Sequence, residues 1–473
     1  MITAIRLKNF KCFEDSGWID IKSLNLLFGY NSSGKSSILK FFLMIKQTLE
    51  SSMNDRAPLI FFDKNGVDLG SYKDVVFSGD TAREMEFSFK LSLFSESIIQ
   101  SMFGNNINLL LENIELKLSF GYNKDLGTVI QKSYCIIDES GGIILSLYKD
   151  SITEKYVIES NKLQVNSTLD MLNIAIDKFL FTVMFTPSTS PTDWGSPEVQ
   201  LIFDLGFLTS KINSQISSFA LTIQHIGPLR TPPNRVDRFT SDNPKNVGNT
   251  GAYAYNLLYN SNSSKIIDGH DKLLDKVNRW LKDYNYELRL NEIAQDIVEF
   301  QLIDIRSKNI ISIVDAGFGI SQVLPIVVEL MNNASELGKV ILIEQPEIHL
   351  HTKMQSELAD LLIDCITLNN NNIVIVETHS ENLLLRIRKN LLLNQLDNSK
   401  GFDKNRLSTY YVSNDGKKST ISNINFSDDG SVKSDNEEFD DFFSNSFNEF
   451  MEISKLANQV RNKDAKKSNK ITS

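Results

Sequence analysis

The chain has 473 residues, of which 41% are hydrophobic and 23% are charged, and its formal net charge is −10. This length allows two or three domains with a large core, and the composition is that of an ordinary soluble protein. The negative charge argues against a protein covered by nucleic acid, although a local basic face stays possible. The three cysteines are scattered and the first residues include no long apolar run. These features predict a reducing, cytoplasmic location and no membrane partner.

A glycine-rich loop lies between a predicted strand and a predicted helix near the start of the chain. Residues 24–28 are apolar, residues 29–36 fit the pattern G-x-x-x-x-G-K-[ST], and residues 37–45 are apolar nearly all round. The backbone N–H groups of such a loop surround a polyphosphate, its lysine reaches the β- and γ-phosphates, and its last hydroxyl binds Mg²⁺. The helix directs its positive end at the same phosphates. The residues expected to bind them are Gly29, Asn31, Ser32, Ser33, Gly34, Lys35, Ser36 and Ser37.

The middle of the chain is predicted to change from strands to helices. Alternating polar and apolar residues indicate a meandering antiparallel sheet, with strands at residues 84–93, 114–120, 134–138 and 143–148. Residues 169–185 include two acids and a lysine, so they predict a buried amphipathic helix rather than a membrane span. Residues 271–284 have one apolar stripe at helical spacing. Trp280 in that stripe is expected to belong to the core, with ligand stacking as the alternative.

Two later apolar runs, residues 340–343 and 373–376, predict buried parallel strands. The first ends in Glu344, a candidate metal carboxylate at the carboxyl end of a strand, where ligands bind in open α/β sheets. The second is followed shortly by His379, next to a hydroxyl, which we expect to sense a γ-phosphate. The candidate catalytic residues are Glu344, Gln345, Glu347 and His379.

Residues 315–322 precede a predicted apolar helix at 323–330. Glycines followed by a serine at a helix N-terminus make an anion-binding edge. Taken alone, this G-x-G is equally compatible with a plain loop. Its position shortly before the carboxylate strand favours anion binding by Gly319 and Ser321.

The end of the chain differs in composition from the rest. Residues 427–441 are acidic, residues 462–470 are basic and polar, and four phenylalanines lie between them. Those phenylalanines predict docking on the body or on a partner. The predicted domains are a head N-terminal lobe at 1–93, an inserted arm at 94–295, a head C-terminal lobe at 296–425 and an extension at 426–473.

Together these motifs resemble those of ABC-type ATPase heads, a group related to SMC proteins, their double-strand-break-repair relatives and the overcoming-lysogenization-defect (OLD) nucleases. They also resemble those of bacterial ATPases that are anti-phage defence subunits of the Septu and PARIS type. The resemblance is carried by the first strand and N-F-K turn at 5–11, Walker A at 29–36, residues 67–74, G-P-L-R at 227–230, the signature at 317–322, Walker B at 340–347, I-E-Q-P-E-x-H-L-H at 343–351 and the switch histidine His379.

The resemblance implies an α/β fold, a P-loop head with a mixed sheet that an inserted β-meander and helical arm interrupt. It implies that two copies face each other head to head, as a dimer or a higher even oligomer, and sandwich two ATP molecules. Lys35 would hold the phosphates, and Ser36 and Glu344 would bind Mg²⁺. Ser321 of one copy would reach the γ-phosphate bound by the other.

One residue departs from the pattern of many relatives, which have a second acid directly after the Walker B acid. Gln345 occupies that position. An amide orients water but cannot accept a proton, so we expect slow hydrolysis, with Glu347 as a substitute base. Positioning and electrostatics dominate phosphoryl transfer, so the loss of one base need not abolish turnover.

Fewer than a hundred residues follow His379, and they show neither a Toprim nor an HNH pattern, so no nuclease is expected in this chain. The resemblance then implies a sensor ATPase that controls a separate HNH or Toprim-like nuclease, with a nucleic acid or a phage protein as trigger. The alternative is an SMC-like ATPase for DNA repair or chromosome maintenance. Sustained heptads would favour that alternative, and the sequence has none.

Two groups of basic residues are open to more than one interpretation. Arg386, Arg388 and Lys389 predict a solvated helix face or a phosphate contact. Arg230 and Arg235 flank prolines and predict either a nucleotide or partner contact or a structural ion pair.

Overall fold

The structure is a computed structural model. It describes residues 1–51, 57–64, 66–93, 112–149, 156–159, 172–185, 197–239, 243–263, 272–294, 296–332, 338–397, 401–427, 431–433 and 438–439.

The strands and helices alternate in an order typical of a mixed α/β protein. The strands are β1 (Ile2–Phe10), β2 (Phe13–Asp20), β3 (Leu24–Phe28), β4 (Met85–Ser92), β5 (Asn113–Asn123), β6 (Thr128–Asp138), β7 (Ile143–Lys149), β8 (Tyr156–Glu159), β9 (Leu172–Asp177), β10 (Leu180–Phe185), β11 (Ile223–Ile226), β12 (Asp237–Arg238), β13 (Tyr286–Ala294), β14 (Ile297–Asp304), β15 (Ile310–Ser312), β16 (Val340–Glu344), β17 (Ile373–Glu377), β18 (Leu407–Asn414), β19 (Ser419–Asn423), β20 (Asn425–Phe426) and β21 (Val432–Lys433). The α-helices are α1 (Lys35–Glu50), α2 (Tyr72–Val75), α3 (Pro197–Leu221), α4 (Ala254–Ser263), α5 (Leu273–Lys282), α6 (Phe318–Met331), α7 (Thr352–Leu368) and α8 (Glu381–Leu396).

A six-stranded sheet with the order β11-β16-β17-β3-β18-β19 holds the phosphate loop at the end of β3. All neighbouring strands are parallel except the last pair. The parallel strands predicted at 340–343 and 373–376 are therefore confirmed, as is the α/β fold class. Strands covered on both faces are rich in valine, isoleucine and leucine, which is the composition of β16 and β17.

The central sheet separates two hydrophobic cores because successive side chains of a strand point to opposite faces. On one face, Leu27 and Leu342 pack with α1 and with a second, antiparallel sheet that contains β1 and β4. On the other face, Leu26, Ile343 and Val376 pack with α6, α7 and α8. The sheet therefore has the buried, two-sided environment that its composition predicts.

A seven-stranded antiparallel sheet, with the order β2-β1-β4-β5-β6-β7-β8, contains the predicted meander. Antiparallel pairing of β4 through β8 confirms that prediction. The predicted boundary at residue 94 lies between β4 and β5, which are paired along their length, and β11 belongs to the sheet of the phosphate loop. The four-domain division remains a prediction about segments of the chain.

The helix predicted at residues 169–185 is wrong. Within the described part of this segment, β9 and β10 form an antiparallel hairpin, and Lys178 at its turn has a φ of 58°. Asn213 of α3 donates hydrogen bonds to the carbonyl of Phe181 and to the hydroxyl of Thr182. A short apolar run does not distinguish a buried helix from a strand, and the partners that decided the outcome are distant in sequence.

The amphipathic helix predicted at 271–284 is confirmed as α5, in which Leu273, Val277 and Leu281 are buried. Trp280 is half-buried against the same core, and its ring centroid lies 4.8 Å from that of Tyr284. The core interpretation of Trp280 therefore fits the structure. The four phenylalanines of the extension lie outside the described residues.

Candidate nucleotide site

The phosphate loop makes a turn that only glycine allows at two positions. Gly29 has a φ of 144°, and a Cβ there would lie 2.2 Å from the carbonyl oxygen of Val412. Gly34 has a φ of 113°, and a Cβ there would lie 2.5 Å from Cys12 Sγ. Side chains are strained in this region of φ, and neither position has room for one. The glycines of the sequence pattern therefore have a direct steric reason.

Lys35 is the first residue of α1 and its side chain is 2% exposed. Its Nζ donates to the carbonyl oxygens of Gly29 (3.0 Å) and Tyr30 (2.7 Å), and lies 4.0 Å from Glu377. Burial lowers the pKa of Lys35, while Glu377 and Glu347 act in the opposite direction. The loop's own carbonyls thus hold the ammonium group at the helix N-terminus, where the helix dipole favours anions.

A polar cavity of about 590 Å³ opens in front of this helix end. One wall consists of the loop and the start of α1, another of Gln345 and Glu377, and a third of residues from 73 to 79. The last wall includes the final two residues of the segment 67–74 that carries part of the family resemblance. A cleft of this size suits a ligand as large as a nucleotide. The lining residues from the predicted phosphate site are Asn31, Ser32, Gly34, Lys35, Ser36 and Ser37.

The two acids that end the central strands contact different partners. Glu344 and Glu377 lie at the same register on β16 and β17. Oε1 of Glu344 lies 2.8 Å from Nε2 of His225 and faces a second cavity of about 320 Å³, beside the G-P-L-R segment. Oε2 of Glu377 instead accepts a hydrogen bond of 2.8 Å from the hydroxyl of Ser36. Sequence analysis assigned no role to Glu377, although it ends an apolar strand as Glu344 does.

Glu347 and His379 are brought together behind the loop. The backbone N–H of His379 donates to Oε1 of Glu347 at 2.6 Å. Among the described residues, Glu347 Oε2 and His379 Nε2 are buried and have no hydrogen-bond partner. Burial raises the pKa of Glu347. Burial, with a smaller contribution from Lys35, lowers the pKa of His379 to about 4.

Arg230 of the G-P-L-R segment is 5% exposed and holds the turn after β16. Its Nη2 donates to the carbonyl oxygens of Glu344 (3.0 Å) and Gln345 (3.2 Å). Gln345 has a φ of 44°, so the turn is strained for a residue with a side chain. Gln322 of α6 donates to the carbonyl of Arg230 at 3.4 Å. Burial lowers the pKa of Arg230 to about 10. Arg230 therefore connects the turn after β16 to α6, and it has no salt bridge within 4.0 Å to any acid that the structure describes.

The signature segment begins α6, with Gly317 at the position before the first helical residue. Ser321 lies one turn into the helix and is 4% exposed. Within one copy of the chain, neither Gly319 nor Ser321 lines the cavity around Lys35. Arg235 makes a bidentate ion pair with Asp315, in which Nη1 and Nη2 each lie 2.8 Å from a carboxylate oxygen. That pair fits the structural alternative for Arg235.

Arg386, in the basic cluster of α8, makes an ion pair with Asp360 of α7 through both Nε and Nη2. This contact fits the interpretation of a solvated helix face with structural ion pairs. Exposed pairs of this kind contribute little to stability, about 0–1 kcal/mol.

A glycine loop at a helix N-terminus, a buried lysine and acids at the ends of the adjoining parallel strands define a P-loop nucleotide-binding protein. Residues 1–384 match the AAA ATPase domain family. The match extends over most of the chain, and the chain belongs to this family of ATPases. A comparison with curated proteins finds no match.

Solved structures of SMC heads are similar at low identity. The SMC head domain from Thermotoga maritima is 11% identical with a TM-score of 0.37, over 90% of this chain and 99% of that chain. An Smc head bound to the C-winged helix domain of ScpA is 13% identical with a TM-score of 0.35, over 93% and 99%. A Pyrococcus furiosus-derived structure, an Smc head with an extended coiled coil bound to the C-terminal domain of ScpA, is 10% identical with a TM-score of 0.35, over 97% and 99%. Similarities at such low identity and TM-score do not assign an activity or a partner to this chain.

Proposed function

We propose that this ATPase is of the ABC type, hydrolyses ATP slowly, and is a nucleotide-gated sensor or scaffold subunit of a prokaryotic anti-phage defence system. In this proposal it acts in the cytoplasm and controls a separate HNH or Toprim-like nuclease. The observation that carries the ATPase chemistry is Lys35, buried at the start of α1, whose partners among the described residues are loop carbonyls and a nearby acid. The defence role is supported by the motif resemblance alone.

The residues present fit a nucleotide with Mg²⁺. Lys35 and backbone N–H groups at the start of α1 would bind the phosphates, and the lysine would give up its carbonyl contacts. The buried Nε2 of His379 and Oγ of Ser33 have no partner among the described residues, as expected of groups that await a polar ligand. When bound, ATP supplies the phosphoanhydride bond that water cleaves. Gln345 lines the same cavity and would orient that water, and Glu347 is the alternative base.

Two copies are proposed to complete each site. Gly319 and Ser321 do not line the cavity of their own chain, so the signature segment would act on the nucleotide of a partner copy. Because Ser321 is buried, the backbone N–H groups beside Gly317 and Gly319 are the groups best placed to approach that phosphate.

The proposal also includes neither a membrane partner nor a nuclease domain in this chain. In the part of the chain that is described, no helix has the length and apolar character to cross a membrane. The acid pairs at 428–429 and 440–441, which sequence analysis weighed as nuclease acids, lie outside the described residues. Co-purification with the product of a neighbouring nuclease gene would favour the defence role over SMC-like repair.

The first test of the proposal is Lys35→Ala. We expect this variant to lose detectable ATP binding, because the loop then has no cation for the β- and γ-phosphates. Isothermal titration calorimetry with Mg²⁺ and ATP measures the change. Lys40→Ala is the matched control, since Lys40 lies on the same helix and does not line the cavity around Lys35. An ATP affinity that Lys35→Ala leaves unchanged would end the assignment of the loop.

A further inference from the structure

The carboxylate that contacts the phosphate-loop serine is Glu377. Its Oε2 lies 2.8 Å from the hydroxyl of Ser36, it is 5% exposed, and it lines the same cavity as Ser36 and Lys35. The order of the strands explains this contact. Because β17 lies between β3 and β16, its last residue is one strand closer to the loop than Glu344 is. The hydrogen bond between Glu344 and His225 places Glu344 at the second cavity instead.

The distance between Ser36 and Glu377 suits two ligands of one small cation. Mg²⁺ binds oxygen ligands at about 2.0–2.1 Å in octahedral geometry, which places adjacent ligands about 2.9 Å apart. Oγ of Ser36 and Oε2 of Glu377 have almost this separation, at 2.8 Å. Both are hard oxygen donors, the type that Mg²⁺ prefers.

The charges around Glu377 favour a divalent cation as well. Glu344 and Glu347 both interact electrostatically with Glu377. Among the described residues, the cation that interacts with Glu377 is Lys35, whose Nζ lies 4.0 Å from Oε1 of Glu377. Oε2 of Glu347 is buried with no hydrogen-bond partner in the described part of the chain. Counted as charged, these three acids exceed the two cations Lys35 and Arg230, which interacts with Glu347, by one negative charge that a divalent ion would offset.

We propose that Glu377, together with Ser36, forms the protein's half of the Mg²⁺ site, and that Glu344 acts from the next strand without direct contact to the metal. This inference rests on the proposed ATPase function. The remaining positions around the ion would belong to phosphate oxygens and water, since Mg²⁺ usually keeps few protein ligands.

The test is the Mn²⁺ affinity of Glu377→Gln, measured by electron paramagnetic resonance with a non-hydrolysable ATP analogue bound. Glutamine has the same shape and still accepts the hydrogen bond from Ser36, so this variant removes the charge and keeps the structural contact. We expect Mn²⁺ binding to weaken by about 10- to 100-fold. Nucleotide affinity in EDTA should stay the same or rise, because a negative charge near the phosphates has gone. Glu344→Gln is the matched comparison and should weaken Mn²⁺ binding less than Glu377→Gln does.

Three results would count against the inference. Glu377→Gln could bind Mn²⁺ as the unmodified protein does, which would leave the Ser36 contact purely structural. Glu344→Gln could instead weaken Mn²⁺ binding more than Glu377→Gln, which would make Glu344 the ligand. Glu377→Asp should recover part of the Mn²⁺ affinity, because it restores the carboxylate on a shorter side chain. A failure to recover any affinity would also count against a metal ligand.

The failure of the proposed function would look different. An unmodified protein that binds no nucleotide, with EDTA or with Mg²⁺, would refute the ATPase assignment itself. Nucleotide binding that Glu377→Gln leaves equally dependent on Mg²⁺ would refute only the role of Glu377. Thermal unfolding of each variant without ligand reports whether the fold is kept.

Discussion

Glu344 and Glu377 show how much the place of one residue in a sheet decides its chemistry. Each ends a run of four apolar residues, and the two are paired in register. Glu377 contacts the loop serine, whereas Glu344 contacts His225. Sequence reasoning could identify both as acids at strand ends, but not which of them faces the loop. That depends on the order of the strands, which is set by packing between distant segments.

The pKa of His379 can be used to test its predicted role in the site. Burial and Lys35 lower its pKa to about 4, below the value of about 6.5 for a free side chain. The ring is therefore neutral at pH 7, and the stability this gives is lost as pH falls from about 6.5, where the unfolded chain takes up the proton first. Bound phosphates should raise this pKa, since negative charge favours the protonated ring.

Nuclear magnetic resonance of the imidazole protons measures this titration, and His379→Gln assigns the signal among the five histidines. A ring that titrates near the free value without nucleotide, or whose pKa does not respond to ATP, would contradict a γ-phosphate sensor at this position.

The variant Gln345→Glu tests whether a missing base limits the rate of ATP hydrolysis. It lines the cavity and has a strained backbone, so its side chain is aimed by the turn that Arg230 holds. Gln345→Glu should raise the rate of phosphate release about tenfold, less than the 10²–10⁴ of a well-placed base, because three acids already lie nearby. Steady-state phosphate release measures it. A rate that is unaltered or lower would show that glutamine suits this position.

At the scale of elements, a buried ion pair links the end of α6 to the residue that precedes β16. Lys339 Nζ lies 2.8 Å from Oε1 of Glu329, with side chains 6% and 0% exposed. The second oxygen of Glu329 accepts from the N–H of Val247 at 3.0 Å. No sequence pattern pointed to this pair, because its partners become neighbours only when α6 packs on the sheet.

Breaking this pair should destabilise the fold. Lys339→Met leaves a buried, unpaired carboxylate, so it should cost about 3–5 kcal/mol of unfolding free energy. The double variant Glu329→Gln/Lys339→Met keeps an acceptor for Val247 and removes both charges, so it should cost much less. Urea unfolding measures both. Equal losses in the single and double variants would show that the charges are not the cause.

At the scale of the whole molecule, we propose that a second copy completes each nucleotide site. The cavity in front of α1 contains the phosphate loop, whereas the start of α6 does not reach it in the same copy. We therefore expect the protein to associate into dimers when it binds ATP with Mg²⁺, and Lys35→Ala to stay unassociated. Size-exclusion chromatography with light scattering measures this change in mass.

Gly317→Glu provides a sharper variant of the same experiment. Gly317 is exposed, its backbone is not in the left-handed region, and a Cβ there would meet nothing within 4 Å. The substitution should leave ATP binding by each copy intact and abolish the ATP-dependent dimer, because it places a negative charge where the partner's phosphates are expected. Dimers that form as before would contradict a shared site at this helix end.

The sequence by itself determined the local features of this protein. The glycine loop, the buried parallel strands, the antiparallel meander and helix α5 all follow from patterns within a few residues, because steric limits and side-chain periodicity act along the chain. Only the tertiary structure decided that residues 172–185 form a hairpin, that Arg230 holds the turn after β16 and that Glu377 faces Ser36. Each of these depends on contacts between segments far apart in sequence, whose pairing is a matter of strand order and packing that no local pattern records.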